Sequence, residues 1–472
     1  VAQEDKAKIG LIGLGTMGSA LALNIAEKGF PIAVWNRRAD VTRAFHAEAG
    51  ELADRVIPTE SYEELVAAIA KPRAIILMVP AGDPVDEQIA ALRPLLDDDD
   101  MIIDAGNANF HDTNRRAREA DGKPYLGIGV SGGEAGARHG PAIMGGGEKE
   151  HWDRVEPILT AIAAKFKGEP CADWMGREGA GHFVKAVHNG IEYADMQMIA
   201  EVYGVMRDGL GMDATAIGDS FARFNEGALQ SYLIEISSIV AKAADKHTGQ
   251  PMIDLILDKA GQKGTGRWTA IEAQHLAAPI PAIEAAVVAR NLSSRVAARH
   301  EGEDLFGAAP TKIPEGAVSD EMLERALIAG KVLCYAQGFD MIAAASEQFG
   351  WALPLPAIAR VWRDGCIIRS AMLDDMAAAL SEDEDRNLML APVFARHLRE
   401  GHVALRELVA IGARFGHPMP ALSSGLSYFD TMRTARGTAN MIQAQRDYFG
   451  EHGFERTDDV DDSHGPWHGH GV

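Results

Sequence analysis

Short apolar runs alternate with helix-like stretches through the first third of the chain. Strands are predicted at KIGLIGLG (8–15), PIAVWN (31–36), AIILMVP (74–80), MIIDAG (101–106) and YLGIGV (125–130), with a helix at PVDEQIAALRPLL (84–96). Apolar runs alternating with amphipathic helices in this way predict a doubly wound α/β sheet of Rossmann type. After about residue 178 the strand-like alternation largely stops. Long stretches rich in Ala, Met, Leu and Glu then carry helical periodicity, so a large all-helical second domain is expected. From 441 the chain passes from helix into a Gly-, Asp- and His-rich end. The expected division is therefore 1–177, 178–440 and a tail, 441–472.

Within the helical part, residues 185–193 read KAVHNGIEY. At about 100° per residue, Lys185, His188, Asn189 and Glu192 share one helix face. An amine, an imidazole, an amide and a carboxylate in one small area can take a proton at one place and deliver one at another. Opposite Phe183, Val187 and Ile191, the same stripe can also be simply the wet side of an amphipathic helix. Its continuation into Met196, Ile199 and Tyr203 favours a buried face, because a solvated stripe should not turn apolar one turn later. Charged residues on a buried helix are paired or functional.

At 472 residues the chain exceeds one ordinary core, and two or three domains are expected. The formal charge of −22 argues against nucleic-acid or anionic-membrane partners, so an anionic ligand needs a local basic cluster. No uninterrupted run of apolar residues reads as a membrane span, and the opening VAQEDKAK lacks the layout of a signal peptide, which points to a soluble cytoplasmic protein. Cys171, Cys334 and Cys366 have neither disulfide nor zinc spacing and are expected to be reduced and buried. The acidic run Asp97–Asp100 reads as a solvated turn. His464, His468 and His470 carry metal-ligating chemistry, but the segment around them reads as a polar tail, and no metal is assigned.

Gly13, Gly15 and Gly18 form GxGxxG between the first strand and a helix, the arrangement that lets a backbone approach a pyrophosphate. After the second strand, where NAD-selective sites carry a carboxylate, stand Asn36, Arg37 and Arg38. Guanidinium groups favour a 2′-phosphate and hence NADP, although the same residues could form an ordinary surface turn. Asn107 and the loop Ser131-Gly132-Gly133 follow C-terminal strand ends, where ligands gather in such sheets. GQKGTGRW (261–268) places Lys263, Thr265 and Arg267 among glycines, a phosphate cradle without P-loop order, and Arg290 is a second cationic candidate that could equally be structural.

Six stretches, GLGTMG near the start, VSGGEAGARHGP (130–141), HFVKAVHNGIEYADMQ (182–197), ILDKAGQKGTGRW (256–268), RDGCIIRS (363–370) and QAQRDYFGEH (443–452), match one family in its own order. Over essentially its full length the chain resembles the decarboxylating 6-phosphogluconate dehydrogenases. The resemblance implies oxidation of 6-phosphogluconate by NADP to ribulose 5-phosphate and carbon dioxide. In it Lys185 takes the 3-hydroxyl proton and returns one to the developing ketone oxygen, and Glu192 protonates C1. It implies that His188, Asn189, Asn107, Ser131, Gly132 and Gly133 hold the sugar acid, and that Tyr193, Lys263, Thr265, Arg290 and Arg446 bind the phosphate. His452 would reach the site from a partner subunit's tail, giving a homodimer with shared active sites. Around the cofactor it implies Gly13, Gly15, Thr16, Met17, Gly18, Asn36, Arg37, Arg38, Val79 and Asn107, with no metal. Pro80, Ala105, Ala108, Arg38 and Asp364 depart from common family residues and leave room for NAD. A shorter β-hydroxyacid dehydrogenase and a non-catalytic NADP-binding protein are the alternatives. Length and the phosphate-binding candidates argue against the first, and retention of both Lys185 and Glu192 argues against the second.

Overall fold

The computed structural model describes residues 6–467. Six parallel strands, β1 (Ile9–Ile12), β2 (Ile32–Trp35), β3 (Val56–Pro58), β4 (Ala74–Leu77), β5 (Met101–Asp104) and β6 (Tyr125–Gly127), form a sheet of order β3-β2-β1-β4-β5-β6. This is the doubly wound order, reversing beside β1. Alternate residues feed separate cores on its two faces: Ile9, Leu11, Val34, Ile76 and Ile103 on one, Ile12, Ala33, Ile75, Leu77 and Ile102 on the other. Burial on both faces explains why these strands read as continuous apolar runs.

The expected single strand at 125–130 is two strands in two sheets. After β6 the chain continues as β7 (Gly129–Ser131), which pairs antiparallel with β8 (Ala142–Gly146). A two-residue antiparallel pair, β9 (Lys165–Phe166) and β10 (Glu169–Pro170), precedes β11 (Ala172–Gly176), which runs parallel to β8. Packing at the break is close. A Cβ on Gly127 would lie 2.5 Å from Thr113 and 2.8 Å from His182, and one on Gly129 would lie 2.4 Å from the Lys185 Cβ.

The acidic run is also only partly a solvated turn. Asp100 is buried, accepts from the backbone N–H of Arg73 at 2.6 Å and pairs with its guanidinium at 2.6 Å. A buried carboxylate needs such a partner.

Beyond β11 the described residues hold helices and isolated bridges but no further strand. The Ala180–Gly204 helix is the axis of this region, packed by β7, β8 and the helices Thr265–His275, Pro281–Ser293 and Asp320–Phe349. Asp320–Phe349 is long and apolar enough to cross a membrane, which the uninterrupted-run criterion had not anticipated, yet 83% of its most apolar window is buried inside the protein. Its Lys331 makes a buried ion pair with Asp195 of the axial helix at 2.5 Å. All three cysteines are free and buried.

The described chain divides into two compact units, one ending at Gly425 and one beginning at Leu426. In the second, Asp447 accepts hydrogen bonds from Gly453, Gly465 and Trp467 and pairs with His464 at 2.8 Å. His468 and His470 lie outside the described residues.

Candidate active site

Two turns of the axial helix carry the four polar residues, Lys185, His188, Asn189 and Glu192. Asn189 Oδ1 accepts from the Lys185 ammonium and from His188 Nδ1 at 2.9 Å, while its Nδ2 donates to Thr265 Oγ1 at 2.9 Å. An amide oxygen can only accept, so His188 carries its proton on Nδ1. Nε2 then faces the Ser131 hydroxyl at 3.3 Å as an acceptor. One amide thus links the axial helix to the Thr265–His275 helix, and one imidazole links it to β7.

Lys185 and His188 are buried and Glu192 is half-buried. Burial lowers the Lys185 pKa, opposed by the Glu192 charge. It raises that of Glu192, opposed by Lys185 and Arg290. His188 is pushed well below the usual range by burial and by Lys185 next to it. The amine is therefore biased toward its neutral form and the carboxyl toward its protonated one. Two titratable groups shifted in opposite senses within one site are the equipment of an acid-base pair.

Glycines permit this density. Gly190 faces Thr269, whose hydroxyl donates to the Ala186 carbonyl at 2.7 Å, and Gly266 faces the Tyr193 ring, which its Cβ would approach at 2.4 Å. Arg290 stacks on Tyr193, its guanidinium carbon 3.4 Å from the ring centroid. Gly132 and Gly133 both have positive φ, +116° and +62°, and a Cβ on Gly132 would lie 2.5 Å from the Gly365 carbonyl oxygen. Asn107 lies exposed just beyond β5, and Lys263 is exposed on the loop before Thr265. Arg446, on the helix Ala439–Gly450, and His452 belong to the second unit. There Arg446 donates to Gln443 at 3.0 Å and His452 meets Phe449 edge-on.

The β1 turn has the features a dinucleotide requires. Gly13 has φ +101°, and a Cβ on Gly18 would fall 1.9 Å from the Gly13 carbonyl oxygen. The same test at Gly15 meets open space, which leaves backbone free for a pyrophosphate. Thr16 and Met17 open the Thr16–Glu27 helix at that turn. Asn36 Oδ1 accepts from Leu14 N–H at 3.1 Å, so its side chain braces the turn, whereas Arg37 and Arg38 are exposed at the end of β2. Val79, half-buried after β4, faces the turn, as its Cγ1 would lie 3.3 Å from a Cβ on Gly13. These residues fit an NADP-type dinucleotide.

Two family models cover nearly the whole chain: the NAD binding domain of 6-phosphogluconate dehydrogenase over residues 8–176, and the 6-phosphogluconate dehydrogenase C-terminal domain over 181–467. The chain belongs to the 6-phosphogluconate dehydrogenase family. A relative from Bacillus subtilis (strain 168), named 6-phosphogluconate dehydrogenase, NADP(+)-dependent, decarboxylating, is 45% identical over 98% of this chain and 99% of its own. A second protein of that organism, named as the NAD(+)-dependent decarboxylating enzyme, is 46% identical over 95% of this chain and 97% of its own. The Plasmodium falciparum 6-phosphogluconate dehydrogenase, solved in apo form and with NADP+ and 6-phosphogluconate, superposes with a TM-score of 0.93 at 39% identity, covering 98% of this chain and 100% of that one.

The sequence reading missed a support behind this family's signature helix. One turn before Lys185, buried His182 meets the Thr113 hydroxyl at 2.7 Å, and Arg116 stands 3.5 Å from buried Asp104 at the end of β5. His182 lies within the quoted motif, three residues before Lys185, so a further polar residue on the stripe was the available signal. The stripe's continuation also needs correcting. Ile199 is buried, but Met196 is 41% exposed and Tyr203 half-buried. Both line an open apolar groove of about 320 Å³ with Phe221, Val240 and Ile253.

Proposed function

We propose that the chain is an NADP-dependent 6-phosphogluconate dehydrogenase that oxidatively decarboxylates 6-phosphogluconate to ribulose 5-phosphate and carbon dioxide. The carrying observation is the buried cluster of Lys185, His188 and Asn189 beside Glu192 on the axial helix of a chain of this family, with Lys185 biased toward neutral and Glu192 toward protonated. Lys185 takes the 3-hydroxyl proton and then donates it to the developing ketone oxygen, so carbon dioxide leaves without a free carbanion. Glu192 delivers a proton to C1 of the resulting enediol. Neutral His188 and Asn189 hold hydroxyl and carboxylate groups, with Asn107, Ser131, Gly132 and Gly133 completing that end. Tyr193, Lys263, Thr265 and Arg290 bind the phosphate, joined by Arg446 from a partner's tail. NADP, when bound along Gly13, Gly15, Thr16, Met17, Gly18 and Val79 with its 2′-phosphate toward Arg37 and Arg38, supplies the hydride acceptor. NAD is admitted as a weaker alternative.

We further propose a homodimer with shared sites, in which the 441–472 tail brings His452 to the partner and the 1–177 and 178–440 segments carry cofactor and substrate. The apolar groove at Met196 and Tyr203 and the exposed Ile239, Val240, Ile256 and Leu257 support a second copy as the occupant of this face. Phosphorylated substrate and cofactor suit a cytoplasmic setting. The test is to mix protein, NADP and 6-phosphogluconate and follow NADPH absorbance together with released carbon dioxide. A folded dimer that yields neither product refutes the assignment.

A further inference from the structure

Glu272, three residues before the end of the Thr265–His275 helix, is buried, with a side chain 7% exposed. Among the described residues its ion-pair partners are two imidazoles that converge on the same oxygen. His111 Nε2 lies 2.8 Å and His275 Nδ1 3.4 Å from Glu272 Oε2, and the three ligand atoms all fall within 4.8 Å of one another. His275 is placed there by the i, i+3 spacing of one helix. His111 comes from the first turn of the Phe110–Glu119 helix, 161 residues earlier in the chain.

A carboxylate this buried needs a compensating charge or coordination partner, and a dication held among the three side chains would supply both. Zinc binds His nitrogen and carboxylate oxygen at about 2.0–2.2 Å in tetrahedral sites, which sets neighbouring ligand atoms about 3.3–3.6 Å apart. The His275 separation of 3.4 Å already lies in that range. The His111 separation must open by about 0.5–0.8 Å, and His111 is free to give, because its side chain is 54% exposed. Exposure of both rings also leaves an entry path and a fourth position for water.

We propose that His111, Glu272 and His275 form a binding site for a zinc-class divalent cation. The cation would tie the segment that follows β5 and Asn107 to the helix that opens with Thr265. This proposal is independent of the catalytic reading, and its readout is metal binding rather than turnover.

The test uses full-length protein stripped with chelator and carrying His464→Gln, His468→Gln and His470→Gln, so that tail histidines do not compete. Zinc is titrated against a chromophoric chelator, and cobalt is added separately to record its visible bands. One equivalent per chain is expected, with intense four-coordinate cobalt bands and a melting temperature that rises with zinc. His275→Ala should weaken binding by at least about 100-fold and abolish the melting shift. That side chain is 66% exposed, so its loss should leave folding intact. His111→Ala is the second variant and should do the same. A trio that merely exchanges hydrogen bonds would bind no equivalent. That result, or an equivalent that survives both substitutions, overturns the proposal.

Discussion

Gly129→Ala isolates the packing that seats Lys185. Its Cβ would lie 2.4 Å from the Lys185 Cβ, 2.9 Å from the Lys185 Cγ and 3.2 Å from the Gly181 carbonyl oxygen. None of these is the free end of a flexible chain. Moving from 2.4 Å to the 3.4 Å at which Cβ contacts become ordinary requires an opening of about 1 Å between β7 and the axial helix. Overpacking of this kind costs about 1–3 kcal/mol of stability. A misplacement of about 1 Å in catalytic geometry costs roughly 100-fold in rate. We therefore expect kcat with NADP and 6-phosphogluconate to fall about 100-fold while the KM for NADP changes little, because the nearest atoms that the added Cβ meets belong to Lys185 and Gly181 and not to the β1 turn. Gly204→Ala is the matched control. It lies in the same helix, its Cβ meets open space, and a gain of about 0.5–1 kcal/mol is expected from helix propensity alone. Steady-state kinetics and urea unfolding of both variants read the two quantities. Full kcat in Gly129→Ala, or equal damage in Gly204→Ala, would refute the claim that this contact positions the lysine.

Glu192→Gln should slow turnover heavily yet leave substrate affinity within about tenfold. In the parent, activity should fall as pH drops and Lys185 protonates, and fall again as pH rises and Glu192 ionises. A flat parent profile would remove the acid-base assignment. Arg38→Ala should lower kcat/KM for NADP about tenfold or more relative to NAD, since a charge-assisted hydrogen bond contributes about 1.5–3 kcal/mol, less where exposed. An unchanged ratio would assign the 2′-phosphate elsewhere. Truncation after Gly450 should weaken binding of 6-phosphogluconate much more than binding of NADP, and equal losses would indicate general destabilisation. Glu201 accepts from the N–H groups of Ala421 and Leu422 at 2.8 and 2.9 Å, and burial raises its pKa from 4.5 to about 7. Because the folded pKa is raised, this stability is present below about pH 4.5 and lost as pH climbs through 7, in all about 3 kcal/mol. Urea unfolding between pH 5 and 8 should show that loss in the parent and not in Glu201→Gln; parallel curves would reject it.

Five of the six parallel strands were legible because both their faces are buried, so each reads as an apolar run bounded by glycine or a polar turn; the edge strand β3, three residues running from buried Val56 to exposed Pro58, was not. β8 and β11, AIMGG and ADWMG, were not legible. Glycines occupy positions where bulk would collide, as at Gly145, where a Cβ would lie 2.4 Å from the Trp152 ring, and what remains is too short to show a period. Pairings distant in sequence were equally hidden. Asp100 is an unremarkable member of an acidic run until Arg73 folds against it. His111 and Glu272 belong to different layers of the fold, and no spacing rule connects them.

The stripe on the axial helix was legible in composition, and its burial was read correctly around Lys185 but not at Met196. From Ala180 to His188 every residue is buried, so Lys185 and His188 lie where the helix is enclosed all round. Neighbours approach closely along it: Gly129 of β7 against Lys185, Thr269 against Gly190, and Gly266 against Tyr193. Where such neighbours end, at Met196, the face reaches the surface and remains apolar. The same sequence periodicity therefore has two physical origins along one helix. Toward its N-terminal half, polar groups are kept from water by this chain's own backbone and paired through Asn189. Toward its C-terminal half, apolar groups face water in the isolated chain, a condition that a second copy seated on the groove would relieve. If a second copy occupies this groove, Met196→Glu should shift the protein toward monomer on size exclusion while the fold around Lys185 and Asn189 is kept; an unchanged oligomeric state would refute that occupant.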